Sequence, residues 1–222
     1  MLFDLRSRGR RRTVQVVYLG LAVLMGGGLV LFGVGTGGSG GGLLNAFTGN
    51  GSSGAQSQVI SAQETAALRL TKLHPTDPAA WSALVGARYE SASSNSANYN
   101  STTGTFTASG KKELAATTAA WQRYVQLTKS PDPNLAILAA RAYGAIGQYA
   151  NEATAWEIQT LASPNEAKGY ECLAVSAYAA KQTRKGDLAL AKALTLVPKL
   201  SRTTLKSQIE AAKTSPAIAA SC

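Results

Sequence analysis

The prolines of this 222-residue chain set the strongest limit on how it can fold. Pro75, Pro131, Pro164 and Pro198 punctuate alanine-rich stretches in which apolar residues recur at three- and four-residue spacing. That recurrence predicts helices near 57–73, 78–91, 110–128, 133–147, 149–162, 165–182, 184–196 and 199–213, and no strand signals appear among them. Proline cannot continue a helix, so each of these positions marks a break between helices. Pro131, Pro164 and Pro198 stand 33 and 34 residues apart, and the 56 residues from Pro75 to Pro131 exceed that period by 22. The excess falls between Tyr89 and Lys111, in a Ser-, Thr-, Asn- and Gly-rich stretch without apolar periodicity. The chain reads as one period of paired helices with one insertion. That insertion, 91–110, is expected to be a mobile loop because it lacks the apolar content to order itself.

The other strong signal lies at the start. Arg6, Arg8, Arg10, Arg11 and Arg12, against Asp4 alone, precede an uncharged run from Thr13 to Gly35. As a helix, 23 residues span about 34 Å, enough for the hydrocarbon core of a bilayer. The arginines hold the preceding tail on the cytoplasmic side, which places the rest of the chain across the membrane. The run is too long for a cleaved signal's apolar region and reads as an uncleaved anchor. Tyr18, Leu24, Gly26 and Phe32 are its representative lipid-contacting or packing positions. Nine glycines among residues 35–54 make the next stretch a flexible tether. The expected organisation is a basic cytoplasmic tail at 1–12, a transmembrane helix at 13–35 and a Gly-rich linker at 36–56. A helical domain at 57–215 and a tail at 216–222 follow.

The net charge of +10 is uneven. Residues 58–182 carry ten basic and nine acidic side chains, whereas 183–222 carry seven and two. There is no basic stripe interleaved with aromatic residues, so nucleic acid is not an expected partner. Catalytic constellations are missing too. His74 is the sole histidine and stands before Pro75 at a helix end, where it is expected to meet the last carbonyls of the helix, and no second histidine is available for a metal site. No phosphate-binding loop is present, and the carboxylates are few and scattered. The expectation is a protein that is not an enzyme and carries no cofactor. Cys172 and Cys222 lack metal-ligand spacing. They can pair in an oxidising compartment, or Cys172 can serve as a small buried residue.

Paired helices at a 34-residue period resemble the tetratricopeptide repeat family. In the last repeat, Tyr170, Leu173 and Ala174 stand at the family's Trp, Leu and Gly positions, with Ala193, Leu194 and Pro198 closing it. The middle repeat supplies Tyr143, Gly147, Tyr149, Trp156 and Pro164, with Glu152 where the family has a small alanine. The first has Trp81 and Leu84, and its second helix fits two registers, set by Trp121 or by Pro131. The resemblance covers 75–198. It implies an all-α helix-pair solenoid, here preceded by a single transmembrane helix, with a groove lined by the first helix of each pair. The groove positions are then Ser82, Gly86 and Tyr89; Asn134, Ile137 and Arg141; and Lys168, Glu171, Val175 and Tyr178. The family's terminal-carboxylate clamp is not reproduced in this set.

The layout is similar to bacterial single-span tetratricopeptide proteins ancillary to the Sec translocon and its periplasmic chaperones. It implies a bacterial cytoplasmic-membrane protein with its domain outside the cytoplasm, acting as an adaptor for export machinery, a chaperone or an envelope complex. Membrane-anchored assembly subunits of cytochrome c maturation have comparable parts. A structural organiser bound to cell-wall polymer through Arg184, Lys185, Lys192, Lys199, Arg202, Lys206 and Lys213 is the third reading.

Overall fold

A computed structural model describes residues 53–222, with side chains from Val59 onward. The expected tail, span and linker, with Tyr18, Leu24, Gly26 and Phe32, lie outside the described residues. Among those described, no helix is long and apolar enough to cross a membrane. Residues 53–222 are all-α apart from one short hairpin. Helix α1 spans Ser53–Leu73, α2 Pro78–Ser94 and α3 Ala108–Leu127. They are followed by α4 at Pro133–Ala145, α5 at Tyr149–Ala162, α6 at Ala167–Ala179, α7 at Thr183–Leu196 and α8 at Arg202–Glu210. The stretch expected as one helix over 199–213 is broken, because α8 is flanked by 3-10 turns at Lys199–Ser201 and Ala211–Lys213.

Local chemistry starts these helices. Asp77 and Asp132 each stand before a proline at the first helical position. Their carboxylates accept from Ala79 N–H (2.9 Å) and Asn134 N–H (2.8 Å), satisfying donors that the helix leaves free. Successive helices pack as pairs, α2 with α3, α4 with α5 and α6 with α7, and α1 lies against α2. Each pair also packs on the next, so one core runs from Ala67 through Trp121, Tyr143 and Trp156 to Leu190 and Ala219. In α3 the buried set Thr117, Trp121 and Tyr124 selects the Trp121 register over the Pro131 one.

The period is written in the backbone hydrogen bonds. At the end of α4, Gly147 N–H donates to the Gly144 carbonyl (3.0 Å) and Gln148 N–H to the Tyr143 carbonyl (2.8 Å). At the end of α6, Lys181 N–H donates to Tyr178 (2.9 Å) and Gln182 N–H to Ala177 (2.8 Å), every atom 34 residues further on. These are the reciprocal bonds of a left-handed helix cap. Gly147 (φ 78°) and Lys181 (φ 62°) both adopt that conformation.

The segment 91–110, expected to be a mobile loop, has regular structure. Helix α2 runs on to Ser94, and β1 (Tyr99–Asn100) pairs antiparallel with β2 (Thr105–Phe106). Asn98 is buried, its amide donates to the Ser91 carbonyl (3.2 Å) and its own carbonyl accepts from Thr107 N–H (2.8 Å). Gly110 lies so close to that carbonyl that any Cβ would collide with it. Ala92, Leu114 and Ala142 form a small second core, with Tyr89 and Phe106 packed against it. Order here comes from side-chain hydrogen bonds and a glycine contact, which leave no apolar period in the sequence.

Candidate protein-binding face

The first helices of the three pairs, α2, α4 and α6, carry every residue expected to line a groove. On α2, Ser82 and Gly86 are half-buried, and a Cβ added at Gly86 would meet nothing within 4 Å. Tyr89, also half-buried, lies beside Arg141 of α4. Burial raises its hydroxyl pKa, and the guanidinium opposes the rise. On α4, Asn134 is exposed in the first turn and Ile137 is half-buried. On α6, the Lys168 ammonium stands 3.8 Å from the Glu171 carboxylate, one turn apart. An exposed pair of this kind contributes little stability. Ser82, Asn134, Ile137 and Lys168 retain exposure, whereas the end of α6 that carries Val175 and Tyr178 does not.

That end is covered by the chain itself. The last residues, expected as a free tail at 216–222, form a 3-10 turn at Pro216–Ser221 packed on both α4 and α6. Ala212 and Ala219 are buried, and Ile218 and Cys222 pack against the main core. Cys222 is joined to Cys172 of α6 by a disulfide with the two Cα atoms 5.6 Å apart. Cys172 is thus both buried and paired. Arg141 Nε donates to the Cys222 carbonyl (3.3 Å). Lys168, Glu171 and Val175 line a recess of about 410 Å³ whose opposite wall includes Ile218, Ser221 and Cys222. The sequence located this face without showing that residues 211–222 lie across it. The one signal for it was the second cysteine.

Tyr178 requires a correction. It was expected to line the groove, and it is 3% exposed. Its hydroxyl donates to Asp187 Oδ1 (2.7 Å), and the Lys213 ammonium sits 4.4 Å above its ring. Burial, then the Asp187 carboxylate, pushes its pKa far up. Val175, at 6% exposure, is closed off as well.

Beneath this face, on α5, Glu152 is fully buried. Trp156 Nε1 donates to its carboxyl (3.4 Å). Burial raises its pKa to about 8, against the opposing hydrogen bonds from Ser176 and Trp156. The group is therefore neutral in the fold at pH 7.

The basic end of the chain is partly engaged. Lys185 pairs with Glu157 (2.9 Å), Lys213 with Glu210 (3.0 Å), and Lys192 lies 5.7 Å from the Tyr170 ring. Arg184, Lys199 and Lys206 are exposed. Among the described residues, no group of three or more His, Cys, Asp or Glu side chains is placed to hold a metal ion. No family model, curated protein or solved structure matches this chain.

Proposed function

We propose that this chain is a membrane-anchored adaptor of tetratricopeptide type, whose helix-pair domain lies outside the cytoplasm and binds partner-protein segments along α2, α4 and α6. The observation that carries the reading is the 34-residue repeat of the turn hydrogen bonds from Tyr143–Gln148 to Ala177–Gln182. Stacked repeats of this kind build an extended face from equivalent helices, because each pair buries its apolar side only against its neighbours. Anchoring rests on the arginine cluster and the uncharged run from Thr13 to Gly35. The Cys172–Cys222 disulfide supports an oxidising compartment. A tether to the bilayer would raise the effective concentration of a membrane partner to the millimolar range, as short flexible linkers do, so weak face contacts would suffice.

The test is site-specific photocrosslinking in native membranes, with a crosslinker replacing Asn134 or Ile137. Defined protein adducts at these positions are expected, with export or chaperone components among them. Haem-maturation factors would redirect the reading to cytochrome c assembly, and polymer adducts to a wall organiser. Adducts formed from Leu24 but from neither face position would overturn it in favour of the membrane segment. A reporter active only outside the cytoplasm, fused after Cys222, should be active. Equal activity of a cytoplasmic reporter at that point would overturn the topology.

A further inference from the structure

Residues 211–222 are an unusual cover for a helix face. They contribute alanines at 211, 212, 217, 219 and 220 and a single large aliphatic side chain, Ile218. Their backbone bonds are local, such as Ile218 N–H to Ser215 (3.1 Å) and Cys222 N–H to Ala219 (3.1 Å). So little apolar area holds a segment weakly by itself. Beyond the Lys213 contact to the Tyr178 ring, what fixes it is placed at its end: the Cys222 bond to Cys172 and the Arg141 contact to the Cys222 carbonyl. The residues that face it across the recess, Lys168, Glu171 and Val175, sit at the positions where a bound segment would lie.

We propose that residues 211–222 are an internal ligand of the α4–α6 face, latched by a reducible disulfide. Reduction exchanges them for a partner segment of the same build: a short run of small side chains with one branched apolar anchor in the place of Ile218. The inference rests on the binding face proposed above and names its ligand class and its control.

The chemistry is thiol–disulfide exchange with a dithiol reductant. Cys172 is fully buried and Cys222 is partly exposed, so the incoming thiolate attacks Cys222 Sγ. The S–S bond breaks, and Cys172 leaves as a thiolate and takes a proton. The reductant's second thiolate then attacks the mixed disulfide, releasing Cys222 as a thiol. Two electrons and two protons pass to the protein, and the dithiol ends as a disulfide.

The experiment uses the full chain in lipid nanodiscs, oxidised or treated with dithiothreitol, with alkylation counting the freed thiols. Hydrogen exchange should show at least tenfold loss of protection confined to residues 211–222 on reduction, with α5 and α7 unchanged. Retained protection after both thiols are freed would overturn the latch. Loss of protection spreading through α6 and α7 would overturn it too, by making the bond a staple of the fold. The binding probe is a fluorescent peptide of residues 211–222 with Ser in place of Cys222. It should bind the reduced chain and the Cys222→Ser chain at least tenfold more tightly than the oxidised chain. Equal binding to all three, or to none, would overturn the exchange. Crosslinking from Asn134 and Ile137 in the oxidised chain reports separately on the broader face, so the two failures are distinguishable.

Discussion

Where α4 meets α5, Gly144 lies beneath the carboxyl of Glu152, and a Cβ on it would stand 2.9 Å from Glu152 Oε2. Thirty-four residues on, where α6 meets α7, the roles reverse: a Cβ on Gly186 would stand 2.5 Å from the Tyr178 ring. The two pairs share their turn hydrogen bonds and use the same two positions at the same crossing. What the crossing fixes is the combined size of two facing side chains, not which helix supplies the bulk. Close-packed interiors constrain volume in this way and tolerate exchange that conserves it. The reversal also changes the chemistry. The second pair buries a titrating carboxyl, whereas the third buries a phenol that stays neutral and bonds outward to Asp187.

The comparison can be broken most severely at Trp156, which fills the second pair beside Glu152 and is 3% exposed. Trp156→Ala should cost about 3–5 kcal/mol in chemical denaturation. Leu194 of the third pair is only partly buried, so Leu194→Ala should cost less, about 2 kcal/mol. Equal losses would mean that the two pairs contribute alike.

The two glycines come next. Gly144→Ala and Gly186→Ala should each cost about 1–3 kcal/mol by overpacking. Gly186→Ala should be the worse, since it meets a ring rather than the end of a carboxyl arm. Glu152→Ala should recover much of the Gly144→Ala loss. A double-mutant cycle that closes within about 0.5 kcal/mol would show the pair to be uncoupled.

A third effect separates the pairs by pH. Glu152 holds its proton more tightly in the fold, with a pKa of about 8, than at its ordinary 4.5. Its stabilising contribution is therefore complete below pH 4.5 and is lost as the pH rises through 8. The slope should approach about 1.4 kcal/mol per pH unit inside that window. Glu152→Gln should flatten it. An unchanged slope in this variant would assign the titration to another group.

The smallest effect is at the turns. Lys181 adopts the left-handed conformation that Gly147 adopts in the previous pair. A side chain there costs about 1 kcal/mol, so Lys181→Gly should stabilise by about that amount and Gly147→Ala should destabilise comparably. Melting curves of the two variants should shift in opposite directions.

The helices themselves were legible because proline positions and the spacing of apolar residues are local properties of the chain. Helices α4, α5 and α7 lie within two residues of the expected bounds, while α6 stops at Ala179 rather than 182 because Lys181 turns left-handed. That α2, α4 and α6 are the first helices of successive pairs, the ones expected to line a face, was legible from the period. What closes that face was not, because it depends on contacts between distant residues: Cys172 with Cys222, Arg141 with the Cys222 carbonyl, Lys213 with Tyr178. The order in 91–110 escaped for a related reason. It depends on Asn98 and Thr107 bonding across the hairpin and on Gly110 admitting the Asn98 carbonyl, none of which creates a period.

The bond between Cys172 and Cys222 also fixes how the domain answers a pull. Under tension applied between residues 53 and 222, the load reaches Cys172 along the backbone and then crosses directly to Cys222. The chain between them, a sequence separation of 50, carries no force. At about 3.4 Å per extended residue, roughly 170 Å of chain is withheld from stretching. An oxidised molecule pulled in this way can unspool its first two helix pairs and still keep α7 and α8 slack, and only a reduced one extends to its full length.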